Sequence, residues 1–144
     1  MRRRWRKFRS LPPRDRALAL EAACLLALAS LLLVLLPFRH IARWLGSLNG
    51  EMEAETDPAL ARAIGHAVER AARHLPWHPL CLPQALTARA MLRRRGIPSS
   101  LYFGMRLDGP DRTMRAHAWV TTGAMGVVGV PAPDEFTVLA RYSR

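Results

Sequence analysis

The chain is short of cysteine, of acid and of any glycine-rich signature. Two cysteines in 144 residues, Cys24 and Cys81, cannot form a disulfide framework, and nothing in their number requires an oxidising compartment. Eleven acidic residues face 22 Lys and Arg, for a net charge of +11. No glycine-rich phosphate loop and no nucleic-acid-binding motif is present, so no nucleic-acid partner is expected. No internal repeat suggests a solenoid. Apolar residues are not scarce: at 50% of the chain they exclude disorder throughout and suffice for one domain with a modest core.

The excess charge is unevenly placed. Residues 1–16 carry eight basic side chains and one acid, a net of +7. They read as a basic N-terminal arm, which by charge suits phospholipid head groups, nucleic acid or an acidic peptide unless it is simply solvated. Residues 17–36 are then almost wholly apolar, broken by Glu21 and Ser30. A membrane span, a signal peptide and a buried helix all begin this way. The strictly apolar part, Ala22 to Leu36, is short for a bilayer, which needs about 20 residues. Pro37-Phe38-Arg39-His40 follows where a signal peptide needs small residues for cleavage. The segment 17–48 is therefore expected to pack on the core or lie in a membrane interface. Cys24 within it reads as a small buried hydrophobe.

Residues 51–144 form the expected domain. Gly46 to Gly50 punctuates, and Glu51, Glu53, Glu55 and Asp57 lead into it. Asp57-Pro58 is an N-cap with proline in the first helical position. Leu60, Ile64, Ala67, Val68 and Ala71 repeat at helical spacing until Pro76 stops them. A second helix is expected from about Leu82 to Arg95, closed by Gly96. Strands are expected at 99–107, 113–122 and 126–130, with turn chemistry at Asp108-Gly109-Pro110-Asp111 and at Gly123. Helices followed by a small antiparallel sheet make an α+β protein.

Two residues have settings that suit catalysis. Cys81 opens a helix-like run, where the positive end of the helix dipole favours a thiolate. His117 lies in the strand-like run Ala116-His117-Ala118-Trp119-Val120, from which it could take the thiol proton and later protonate a leaving amine. Alternation puts Arg115, His117, Trp119 and Thr121 on one strand face and Ala116, Ala118 and Val120 on the other. The small, apolar face should meet the helices, so a Cys–His site must lie at the edge or end of the sheet. Gln84, three residues after Cys81, shares its helix face and could donate to an oxyanion alongside the Cys81 N–H. Trp77 and Trp119 could line a peptide groove or pack in the core. His74, His78 and Cys81 invite a zinc reading, but Pro76 and Pro79 break the alignment and no fourth ligand is near, so no metal is expected.

The stretch from His74 through Cys81 to Leu86, then Met91 to Pro98, then Ala116-His117-Ala118-Trp119-Val120, resembles the transglutaminase-like leader peptidases of bacterial lasso-peptide biosynthesis, the microcin-processing type. Leu35-Leu36-Pro37-Phe38-Arg39 and the ending Glu135 to Tyr142 are similar too. The resemblance implies a transglutaminase-like, papain-like cysteine protease core. It implies Cys81 as nucleophile, His117 as base and no cofactor. Its partners would be a precursor peptide, a separate leader-recognition protein and an ATP-dependent lasso cyclase, and its place the cytoplasm, with contact to a membrane surface left open. The family pattern also implies an Asp about a dozen residues after the histidine. Gly129 stands there, and Asp134 is the nearest downstream carboxylate, with Glu135 beside it. Either acid, a backbone carbonyl or a water could orient the ring. Two other classes stay open: a different transglutaminase-like amidase or acyltransferase, and a non-catalytic membrane-associated protein.

Overall fold

A computed structural model describes residues 11–45, 47–48 and 57–143. Residues 1–10 of the basic arm, the Gly46–Gly50 punctuation apart from Ser47 and Leu48, and the acidic lead-in at Glu51, Glu53 and Glu55 lie outside these. The chain forms helix α1 (Pro13–Leu35), a short α2 (Phe38–Ala42), strand β1 (Ser47–Leu48), α3 (Pro58–His74), α4 (Cys81–Arg93) and strands β2 (Ser100–Asp108), β3 (Thr113–Thr122), β4 (Met125–Val128) and β5 (Thr137–Ser143). The fold is mixed: helices on one face of a small antiparallel sheet ordered β1-β5-β2-β3-β4.

Local chemistry explains the helix starts. The Asp57 carboxylate accepts from the Ala59 and Leu60 N–H groups at 3.0 and 3.2 Å, with Pro58 first in the helix. Pro13 likewise opens α1, so this helix begins four residues inside what the charge pattern marks as the arm. After α4, the Gly96 and Ile97 N–H groups return to the Arg93 and Leu92 carbonyls.

The core lies between the helices and one face of the sheet. Leu18, Ala22 and Leu26 of α1, Ile64 and Val68 of α3, and Ala88, Met91 and Leu92 of α4 meet Leu101, Ala118 and Val120 of the sheet. Gly65 brings α3 against β4 so closely that an added Cβ would sit 2.1 Å from the Val127 carbonyl oxygen. Arg89, buried in α4, donates to the Tyr142 and Leu45 carbonyls and ties the β5 end to the segment before β1. Glu21 of α1 meets Arg94 and Arg95 past the end of α4, while Ser30 accepts from Trp77 just before α4 begins. Helix α1 therefore runs antiparallel to α4.

The structure corrects one expectation and adds to others. Cys24 is exposed, because α1 turns Leu18, Ala22 and Leu26 inward and the stripe holding Cys24 outward. Strand β5 pairs with β2 along its length and with β1 at Tyr142 and Ser143, so the ending 137–143 is part of the sheet.

Candidate active site

Cys81 is the first residue of α4, half-buried and packed against the core. The loop before it is held at several points. The His78 N–H donates to the Leu75 carbonyl at 3.2 Å, and His78 takes the left-handed conformation at φ 45°. Gln84 Nε2 donates to the Pro79 carbonyl at 2.7 Å. Gln84 thus tethers the loop that delivers Cys81, and one of its side-chain N–H bonds is spent there. Leu80 supplies no side-chain cap and Pro83 has no N–H, so the Cys81 and Leu82 N–H groups keep no intrahelical acceptor. Among the described residues neither N–H has a backbone acceptor, so two donors at this end can meet a developing negative charge.

His117 sits on β3 opposite Gly104 of β2. Its Nε2 lies 2.6 Å from the Gly129 carbonyl oxygen. A carbonyl only accepts, so Nε2 carries the hydrogen and Nδ1 keeps its lone pair. Gly129 leaves β4 with φ 68°, a conformation that suits glycine. A Cβ there would lie 3.2 Å from the Ala118 carbonyl oxygen and 3.6 Å from His117 Nε2. The position at which the resemblance implies an acid therefore serves His117 through its backbone.

Aromatic rings hold the imidazole from the sides. Its centroid is 5.9 Å from the Trp119 ring and 5.1 Å from Phe136. Trp119 in turn stacks on Tyr102, with centroids 5.4 Å apart and planes 5° from parallel. Gly104 leaves room for this cluster, since a Cβ would sit 2.8 Å from the Trp119 ring. The Arg106 guanidinium covers Phe136 at 5.1 Å and pairs with Glu135, whose other oxygen accepts from the Ala132 N–H. Glu135 thus builds the wall beside the histidine. Asp134 is exposed, takes φ 58° and makes no hydrogen bond, to His117 or to any other described residue. Tyr102, Phe136 and Arg106 are members of this cluster that patterns along the sequence do not reveal, because strand pairing and the return of residues 129–136 assemble it.

Cys81 and His117 are not joined in this structure. Ala118 and Val120 belong to the core that the helices cover, and Cys81 packs against that core. Alternation turns His117, Trp119 and their partner Tyr102 to the other face. β4 pairs with β3 only from Val120 onward, so the strand edge beside His117 is open apart from the Gly129 contact. His74 and His78 bring nothing further to Cys81: His74 Nδ1 bonds the Arg70 carbonyl at 2.6 Å. Among the described residues no three His, Cys, Asp or Glu side chains gather as a metal site would need.

A family model described as the transglutaminase-like superfamily matches residues 25–141, a span that contains both Cys81 and His117. The chain belongs to that superfamily. No curated protein and no solved structure matches it.

Proposed function

We propose that this transglutaminase-like chain is a cysteine peptidase that removes the leader from a ribosomally made lasso-peptide precursor in the cytoplasm. Membership of the superfamily supports cysteine hydrolase or acyltransferase chemistry. The motif resemblance around Cys81 and His117 supports the leader-peptidase subtype. The observation that carries the reading is the His117–Gly129 bond, which leaves Nδ1 as a base in a chain that begins a helix with cysteine.

The chemistry runs in two halves. His117 Nδ1 takes the Cys81 proton, and the thiolate attacks the scissile carbonyl carbon. The oxyanion meets the Cys81 and Leu82 N–H groups. As the C–N bond breaks, the imidazolium returns its proton to the leaving amine, which frees the core peptide and leaves the leader as a thioester. Water, deprotonated by His117, then hydrolyses the thioester and releases the leader carboxylate. The freed α-amine is the substrate for a separate ATP-dependent lasso cyclase, and a separate leader-recognition protein presents the precursor. Trp119 in this reading holds the His117 ring, and Gln84 holds the Cys81 loop. The reading requires the pair to close when the peptide binds, since no hydrogen bond joins Cys81 to His117 in the free chain.

Cleavage of a cognate precursor, followed by mass spectrometry, tests the reading. Cys81→Ala and His117→Ala should each lose at least a thousandfold in rate with folding unchanged, while Asp134→Ala stays within about threefold. A second reading, a non-catalytic membrane-associated protein, is favoured by the opposite facing of Cys81 and His117. Alkylation separates the two. With precursor present to close the pair, an iodoacetamide rate at Cys81 that collapses in His117→Ala supports the peptidase; a rate indifferent to His117, together with an uncut precursor, supports the second reading.

A further inference from the structure

From Ala17 onward helix α1 is apolar on every side apart from Glu21 and Ser30, and only its inner side is used by the domain. Leu20, Cys24, Leu28, Leu31 and Leu35 follow one another at helical spacing along the outer side, all exposed. The stripe is about 22 Å long at 1.5 Å per residue. Phe38 and Trp44 continue the exposed apolar surface beyond its end. Such a stripe has no aqueous partner, so something covers it.

We propose that the outer face of α1 is a docking surface for an anionic lipid bilayer, with the helix lying flat in the interface. Charge selects this occupant. Residues 1–16, with their net +7, run directly into the helix, and Arg39 and Arg43 stand exposed just past its end. Cations at both ends of an apolar stripe, with a tryptophan beside them, suit acyl chains below and phosphate groups around the rim. A second copy of the chain would bring two such cationic arms together.

Packing selects the orientation. Glu21 is held by Arg95 at 2.6 and 3.2 Å and by Arg94 at 3.4 Å. Leu18, Ala22 and Leu26 lie in the core. A spanning helix would have to leave all of these contacts and carry Glu21 into hydrocarbon. Lying flat keeps every one of them. The stripe runs toward the loop before Cys81, where Trp77 bonds Ser30 and Leu80 is 77% exposed, so docking sets the Cys81 end of α4 beside the lipid surface.

Flotation of the full chain with phosphatidylcholine vesicles, with and without about 30% phosphatidylglycerol, tests the proposal. Binding should be at least tenfold stronger to the anionic vesicles and should weaken with salt. Leu28→Glu with Leu31→Glu should cut binding at least tenfold while circular dichroism and thermal unfolding stay those of the parent. Cys24 supplies the depth gauge: with Cys81→Ser, an environment-sensitive dye on Cys24 should be quenched more by nitroxide near the head groups than by nitroxide deep in the chains. Three results would overturn the proposal. One is no binding to either vesicle. Another is deep quenching at Cys24, which means a span. The third is a lipid-free dimer that Leu28→Glu and Leu31→Glu turn into monomers, which means that a second copy covers the stripe.

Discussion

Gly129 shows how one residue can change what a site is made of. Its carbonyl accepts from His117 Nε2, and it can do so because φ is 68° where β4 ends. An L-residue in that conformation costs about 1–2 kcal/mol. Gly129→Ala should therefore lower stability by about that amount, read by urea unfolding, and should reduce precursor cleavage through the misplaced ring. Gly129→Asp should not act as a gain of function, since the carboxylate would arrive on a strained backbone. Glu21 offers a second residue-level test. Its hydrogen bond to Arg95, with the charges of Arg95 and Arg94, holds its carboxyl below the ordinary value of 4.5 against the opposing effect of burial. A depressed carboxyl contributes stability above its unfolded value and loses it as the pH falls through the folded one. Glu21→Gln should thus be less stable than the parent at pH 7, by up to about 1 kcal/mol for a partly exposed pair. The difference should vanish as the solution is taken well below 4.5, as urea titrations at both ends of that range would report.

At the scale of elements, the helices are held to the sheet by close approach as much as by apolar area. Gly65 is the point at which α3 touches β4, with the Val127 carbonyl 2.1 Å from an imagined Cβ. Backbone stands in the way there, so the helix or the strand must move. Gly65→Ala should cost about 1–3 kcal/mol, the usual penalty for overpacking, with Val127 amide exchange as a local readout. Helix α1 is part of the same core: Leu26 is fully buried against it. Leu26→Ala should cost about 2–5 kcal/mol. Removing residues 1–45 should leave a chain that unfolds at far lower urea, because it strips α3 and α4 of their cover.

At the scale of the whole molecule, the proposed docking through α1 sets which side of a membrane the domain faces. Helix α1 is long and apolar enough to cross, by length and composition. A flat helix leaves the domain on the side of its synthesis. A C-terminal alkaline-phosphatase fusion should then be inactive in cells and a fluorescent-protein fusion bright. An active phosphatase fusion would place Cys81 and His117 outside the cytoplasm and remove the lasso-peptide reading.

Much of this architecture could be read along the chain. Asp57-Pro58 and the spacing from Leu60 to Ala71 mark α3, because a cap and a periodic face are local properties. Alternation from Arg115 to Thr121 puts His117 and Ala118 on opposite faces, and β3 has that arrangement. Cys81 at the head of α4 was legible for the same reason. What stayed hidden depends on residues far apart in sequence. The exposure of Cys24 depends on which stripe of a uniformly apolar helix the domain chose, and a helix apolar all round carries no moment to announce that choice. β5 took its place between β1 and β2 through pairings between residues far apart in the chain, Ser47 with Ser143 among them. The partner of His117 was open among an acid, a carbonyl and a water until the turn after β4 brought one backbone oxygen to 2.6 Å. Local periodicity and capping made the elements, and the chemistry of Cys81 and His117 with the motif resemblance around them named the two candidate residues. Only long-range packing decided which faces they present, what holds them, and that no hydrogen bond joins them.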